Sequence, residues 1–426
     1  MHIRFYNARI LSMAEGQDVY EGELHVKDDR ISYVGRSFNT EGIIFDKEID
    51  CNGNLLMPGF MNAHTHSGMS ALRSLADDLP LDTWLNTAIF PKEAKMTEDD
   101  IYELSKLSVL EYLTSGITAC FDMYLTPYSI ARSMKDCGFR CVQTGSMNSF
   151  SQSLKLNEEW FNKLNSNEDS LNSYFLGFHA EYTTSPELMK GLANLANKYK
   201  TPVFTHLAET KGEVEGCRER YGVSPLKYMD SLGMFNYGGG IYHGVYIDEE
   251  DMDILLKHNM FVVTNPGSNM KLASGVAPIA DYLKKGIRVA IGTDGPSSNN
   301  CLDMFREMFL VTGLSKLKEN DASACDAMEV LKMATVNGAL AMGLNDCDIL
   351  ASGKKADIIM LDLHMPNMQP LNNIAKNIVY SGSKINVKMT MVNGKTLYED
   401  GKFFIGEEPE EIYKKVTVIR DRLLND

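Results

Sequence analysis

Along most of the chain, short apolar runs alternate with stretches whose apolar residues recur at helical spacing. That is the pattern of a parallel sheet assembled from strand–helix units. Eight such runs fall at 55–63, 116–124, 140–147, 175–182, 201–206, 241–246, 260–265 and 288–293. Helical text lies between them, as at 97–115 and 185–199, with Thr97 predicted as an N-cap and Asp100 three residues on. The two ends read differently. Runs at 3–11, 23–27 and 31–34 are strand-like and broken by Gly and Asp, and similar text returns at 356–363 and 387–396, the latter carrying an Asn393-Gly394 turn signal. The pattern predicts a (β/α)8 TIM-type barrel over 57–351 and a small β-sandwich domain built from both termini, 1–56 plus 352–426.

In such a barrel the chemistry sits on loops at the C-terminal ends of the strands. His64 and His66 follow the first predicted strand, His179 lies in the fourth, His206 and Glu209 follow the fifth, His243 lies in the sixth and Asp294 follows the eighth. His2, His25, His258 and His364 fall elsewhere and are read as non-functional. Two histidines at i, i+2 point to the same side of an extended chain, so His64-Thr65-His66 can aim both imidazoles at one cation. Taken alone, the pair also suits a surface or core position.

With His206 and Asp294 added, the set is three imidazoles and one carboxylate. That set suits one divalent ion, Zn²⁺ before Fe²⁺, Ni²⁺ or Mn²⁺. Such an ion lowers the pKa of bound water to roughly 7. Asp294 could take the water's proton, His243 could orient the attacking oxygen, and a protonated Glu209 could deliver a proton to a ring nitrogen. The plainer readings are a surface carboxylate or cap for Glu209 and a turn residue for Asp294.

Composition narrows the partners. The 426 residues, 44% hydrophobic, can bury a large core. A formal charge of -15 repels phosphate backbones, so no nucleic-acid partner is expected. The first thirty residues lack a signal pattern and no window approaches the ~20 apolar residues of a membrane span. A cytoplasmic protein with no membrane partner is expected, and a homo-oligomer stays open. The eight cysteines contain no Cys-x-x-Cys and read as reduced thiols.

The site segments resemble the amidohydrolase superfamily. Residues 57–66, Met-Pro-Gly-Phe-Met-Asn-Ala-His-Thr-His, are similar to its first-strand metal motif, and Gly292-Thr293-Asp294-Gly295 to its eighth-strand aspartate. Thr205-His206-Leu207-Ala208-Glu209-Thr210 resembles the deaminase branch, and no lysine ends strand four, which argues for one metal. Within that branch the chain resembles the 5-methylthioadenosine/S-adenosylhomocysteine deaminases over nearly its whole length, through segments 75–85, 90–95, 265–272 and 295–300.

The resemblance implies that Glu93 binds ribose hydroxyls, that His179 faces the purine, and that the substrate is methylthioadenosine, adenosylhomocysteine or adenosine. Trp84 is expected as core or pocket wall. Two departures stand out: Glu181 stands where the family usually has proline, an extra carboxylate expected to change what the pocket accepts, and 144–150 lacks the arginine with which some members hold the substrate tail, so the resemblance does not carry recognition of the homocysteine carboxylate. Rival readings are a deaminase or chlorohydrolase of another N-heterocycle (guanine, 8-oxoguanine, pterin, isocytosine or a triazine), and a metal-free structural or interaction protein, which would show gaps in the ligand set.

Overall fold

The computed structural model describes residues 1–166 and 171–425. Strands β1 (His2–Ile10), β2 (Tyr20–Lys27), β3 (Arg30–Gly35), β4 (Lys47–Asp50) and β5 (Leu55–Pro58) open the chain. Then come β6 (Phe60–Thr65), β7 (Ile117–Met123), β8 (Arg140–Thr144), β9 (Asn172–Gly177), β10 (Val203–Leu207), β11 (Gly239–His243), β12 (Phe261–Thr264) and β13 (Arg288–Ile291). Strands β14 (Ile358–Leu361), β15 (Val387–Val392), β16 (Lys395–Glu399) and β17 (Lys402–Phe403) close it.

Strands β6 to β13 form one eight-stranded parallel sheet in sequence order, each strand beside the next. This is the (β/α)8 TIM-type barrel, with helices between the strands. The seam between first and last strand is closed by side-chain and backbone bonds. Asn62 donates to Thr293 Oγ1 at 2.8 Å and accepts from Thr293 N at 2.9 Å, and Asp294 N donates to the His64 carbonyl at 3.0 Å. The helix Glu98–Thr114 opens on the expected cap, with Thr97 and Asp100 bonding each other's backbone N–H in a capping box.

The remaining nine strands make a second sheet from both termini, ordered β17-β16-β15-β14-β5-β1-β2-β3, with β4 beside β1. It bends over its own core of Phe5, Ile10, Val26, Leu56, Ile358 and Met389. The bend brings the β2–β3 turn against the far hairpin: Ala356 N donates to the Asp29 carbonyl at 2.9 Å, and a Cβ on Gly394 would sit 2.0 Å from the Asp28 carbonyl oxygen.

Three predicted boundaries differ. The run 55–63 is two strands, β5 in the terminal sheet and β6 in the barrel. Pro58 has no N–H to continue a ladder, and Gly59 crosses so close to the barrel that a Cβ would lie 2.1 Å from Thr118. Strand four stops at Gly177, and residues Glu181–Thr183 turn into a short 3-10 helix. Within 352–426, the helix Pro409–Asn425 leaves the terminal sheet. Its Ile419 and Leu423 pack on Leu104 of the barrel helix Glu98–Thr114, and Arg422 pairs with Asp100.

Candidate metal centre and active site

The ends of β6, β10 and β13 converge. One donor atom each from His64, His66, His206 and Asp294 lies within 4.8 Å of all the others. Asp294 Oδ1 is 3.1 Å from His66 Nε2 and 3.5 Å from His64 Nε2, which in turn is 3.1 Å from His206 Nε2. Backbone carbonyls orient two of the rings. His66 Nδ1 donates to Met123 O at 2.5 Å and His206 Nδ1 to His179 O at 2.8 Å, so each Nε2 is left facing the cluster. The His64 ring is instead held by stacking on Tyr242, 3.7 Å between centroids.

Burial lowers the His64 pKa to about 3 and takes His206 well below its ordinary value, which leaves both neutral, the ligand form. Burial opposes the charge of Asp294 too, but hydrogen bonds from His64 and His66 hold it well below the usual carboxylate range. Burial also opposes charge on His66, but its hydrogen bond to Asp294 raises it to about 9; a divalent ion at the cluster would take the place of that proton between the two side chains.

Beside the cluster, Glu209 Oε2 lies 3.7 Å from His243 Nε2. Ala208, His243 and Asp294, at or just beyond the ends of β10, β11 and β13, all have left-handed backbone, φ 55°, 74° and 59°. For non-glycine residues that conformation costs about 1–3 kcal/mol, and it re-aims side chains at the barrel mouth. The Ala208 carbonyl is in turn bonded by the N–H groups of Val245 and Tyr246.

A single segment after β12 touches three of these groups. Ser268 donates to Asp294 Oδ2 at 2.6 Å, Asn269 Oδ1 accepts from His243 Nδ1 at 2.8 Å, and Ser274 donates to Glu209 Oε1 at 3.1 Å. The Asn269 bond orients the ring so that His243 Nε2 faces Glu209. Burial raises the Glu209 carboxyl above its ordinary pKa, against the pull of His243.

A cavity of about 380 Å³ opens over this site and is lined by Glu209, His243, Asp294, His179, Glu93 and Trp84 among others. Glu93 and Trp84 come from the excursion between β6 and β7, where a four-residue helix, a π-turn and a second short helix run from Leu81 to Glu93. Burial raises Glu93, partly offset by the Tyr124 hydroxyl bonded to it. His179 is pushed down to about 4 by burial, then by His66, and its Nδ1 lies 2.9 Å from Thr183 Oγ1.

Glu181 is not in the cavity. The turn at 181–183 directs it to Arg220, whose Nε reaches Oε1 at 3.3 Å and whose Nη2 reaches Oε2 at 2.5 Å. The departure at position 181 is an ion pair with the helix Lys211–Tyr221, not an extra pocket carboxylate.

Several positioning residues went unread in the sequence. Glu213 accepts from Ala208 N at 2.6 Å and Glu209 N at 2.9 Å, fixing the backbone at Glu209. Its only sequence signal is Thr210-x-x-Glu213, a capping-box spacing. Glu307 does the same for the segment after β12, accepting from Gly267 N and Asn299 Nδ2, both at 2.8 Å. Lys271 ties three separate segments by donating to Asp77 Oδ1 at 2.6 Å, the Ser297 carbonyl at 3.0 Å and Asn300 Oδ1 at 2.5 Å.

A parallel barrel with three imidazoles and an aspartate at its mouth, and a buried glutamate–histidine pair beside them, is the architecture of a metal-dependent hydrolase. The profile of the amidohydrolase family matches residues 55–397. The chain belongs to that family. It is 40% identical to a 5-methylthioadenosine/S-adenosylhomocysteine deaminase of Desulforamulus reducens, over 92% of each chain. It is 37% identical to a 5'-deoxyadenosine deaminase of Methanobrevibacter smithii, over 96% of this chain and 95% of that one. The crystal structure of an adenosine deaminase from Xanthomonas campestris with bound zinc superposes with a TM-score of 0.92 at 29% identity, covering 100% of this chain and 98% of that one. Among the described residues no helix is long and apolar enough to cross a membrane.

Proposed function

We propose that the chain hydrolyses the amidine of an adenine-type nucleoside, releasing ammonia and the inosine-type product, with zinc in the His64, His66, His206 and Asp294 site. The observation that carries this reading is the pairing of Glu209 with His243 at 3.7 Å beside four metal donors, in a cavity that also buries Glu93. The deaminase relatives and the zinc-bound adenosine deaminase point the same way. A complete donor set speaks against a structural protein.

When bound, the ion supplies an acidified water at neutral pH. Asp294, ionised and flanked by the Ser268 O–H and Gly295 N–H donors, accepts a proton. Glu209, raised by burial, carries a proton to the ring nitrogen next to the attacked carbon. His243 turns its Nε2 toward the site to orient the attacking oxygen, and neutral His179 faces the ring edge without adding positive charge. Glu93 accepts the two ribose hydroxyls.

The test is kcat/KM for adenosine and its 2',3'-dideoxy analogue in wild type and Glu93→Ala. Leaving the carboxylate unpaired costs about 1–3 kcal/mol, a loss of roughly 5- to 150-fold. Removing the diol or the carboxylate should produce similar losses that do not add. A wild type that ignores the sugar and deaminates free guanine would assign the site to a base deaminase.

A further inference from the structure

Glu93 stands on a weak element. The helix that carries it, Phe90–Glu93, has four residues, too few to hold themselves by their own hydrogen bonds. The Glu93 side chain is buried against the Tyr124 hydroxyl, while its neighbour Lys92 is half-buried and Lys95 exposed. The placement of this carboxylate must come from contacts outside the segment.

The helix Pro409–Asn425 supplies them, more than three hundred residues on. Lys92 Nζ donates to the Leu423 carbonyl in its last turn, where backbone carbonyls lack intrahelical partners and a cation is favoured. Arg422 Nη1 donates to the Lys95 carbonyl at 3.2 Å, and its Nη2 donates to Asp100 Oδ2. The same Asp100 oxygen accepts from Thr97 N at 2.6 Å, so one guanidinium spans the turn 95–97 that follows Glu93. Between these ties Met96 packs on the cluster of Leu104, Ile419 and Leu423, and its Sδ lies 3.5 Å from the Tyr124 hydroxyl that meets Glu93.

The helix has its own anchorage on the barrel. Lys415 pairs with Glu103 at 3.0 Å, and Lys106 with Glu407, just ahead of the helix, at 2.7 Å. Neither Lys92 nor Arg422 is among the described residues that line the cavity.

Resting on the nucleoside reading above, we propose that Arg422 is a positioning residue for sugar recognition: with Lys92 it makes the helix Pro409–Asn425 a strap that holds the Glu93 carboxylate in register for the ribose diol, without touching the substrate. Two hydroxyls on one carboxylate need both oxygens placed, and hydrogen bonds weaken steeply when distance or angle slips. Loosening the strap leaves the metal donors, Glu209 and His243 where they are, because those rest on the ends of β6, β10, β11 and β13 and on the segment 265–274. The loss therefore falls on the diol.

The experiment measures kcat/KM for adenosine and 2',3'-dideoxyadenosine on zinc-loaded wild type, Arg422→Ala and Lys92→Met. The ratio of the two substrates reports the diol. It should fall roughly fivefold or more in each variant, the low edge of the cost of a buried carboxylate left unpaired, with zinc content and the dideoxy rate unchanged. In a Glu93→Ala background neither substitution should move the ratio further, since the group they act through is gone.

An unchanged ratio, or equal losses on both substrates, would overturn the strap and leave the helix a stability element. Lys92→Met carries the test by itself if Arg422→Ala does not fold, because it cuts the tie from the other side. A wild type that shows no preference for the diol, or that deaminates only a free base, would overturn the nucleoside reading itself, and the strap with it.

Discussion

Glu209 combines a buried site with a raised proton affinity, a hydroxyl donor in Ser274 and a histidine 3.7 Å away. Those are the surroundings of a group that holds a proton and gives it up. Glu209→Gln keeps the shape and the Ser274 contact but cannot shuttle, so metal content should be unchanged and kcat should fall roughly 10²- to 10⁴-fold, the usual worth of a positioned acid or base. Inductively coupled plasma analysis alongside steady-state rates checks both halves. A variant that loses its zinc would make Glu209 a structural residue instead.

The clustering of His64, His66, His206 and Asp294 was legible because these residues fall at strand ends, where a barrel gathers its side chains. Ser268, Asn269 and Ser274 were not legible in these roles. A serine in a loop has a local turn or cap reading in every sequence, and only the fold brings it to a partner 26 or more positions away. Glu181 failed in the opposite sense: its residue type invited a pocket role, and the turn after β9 spends it on Arg220.

The segment 265–274 after β12 is where the site's geometry is held. It bonds Asp294, His243 and Glu209, and is itself fixed at Gly267 by Glu307, which also accepts from Asn299 after β13. Burial raises the Glu307 carboxyl to about 7, against its N–H donors. A folded pKa above the unfolded value of 4.5 means that the native state binds the extra proton. That contribution to stability is full below pH 4.5 and is lost as pH rises through about 7. Glu307→Gln is neutral throughout, so the melting-temperature gap between wild type and variant should move against wild type from pH 5 to pH 8. A gap independent of pH would contradict the assignment.

Lys271, in the same segment, reaches Asp77 ahead of the Trp84–Glu93 excursion and Asn300 after β13, and Asn300 Nδ2 bonds Asp77 in return at 2.7 Å. Three stretches, around 77, 271 and 300, stood out in the sequence only by resemblance, and one ammonium joins them. Lys271→Met should loosen the wall that binds the sugar more than the acid–base pair. The KM for adenosine should rise roughly 5- to 150-fold, the worth of about 1–3 kcal/mol for a lost charged hydrogen bond, with kcat nearly unchanged. A kcat loss matching the KM rise would show that the tie serves the chemistry itself.

At the scale of the molecule, the barrel and the terminal sheet were both readable, because strand periodicity and its absence separate them along the chain. What periodicity cannot show is which sheet a continuous apolar run serves. Residues 55–63 read as one strand and are divided at Pro58 and Gly59, where a missing N–H and a missing Cβ let the chain pass from one sheet to the other. Nor does it show that the helix Pro409–Asn425 returns to the barrel, since its Ile419 and Leu423 find Leu104 more than three hundred residues back. The terminal sheet and this helix thus bracket the excursion that carries Glu93: Lys92 donates to the Leu423 carbonyl, and only Gly59 separates β5 from β6.

The central claim is that this assembly adds water to an adenine ring at one metal centre. It is tested most directly by running methylthioadenosine turnover in H₂¹⁸O with zinc-loaded protein and with His206→Ala, and reading the product by mass spectrometry. The account predicts one ¹⁸O at the former amino carbon with the ribosyl bond intact, one ammonia per nucleoside, and neither metal nor turnover in His206→Ala. Release of free adenine, or full activity in His206→Ala, would contradict it.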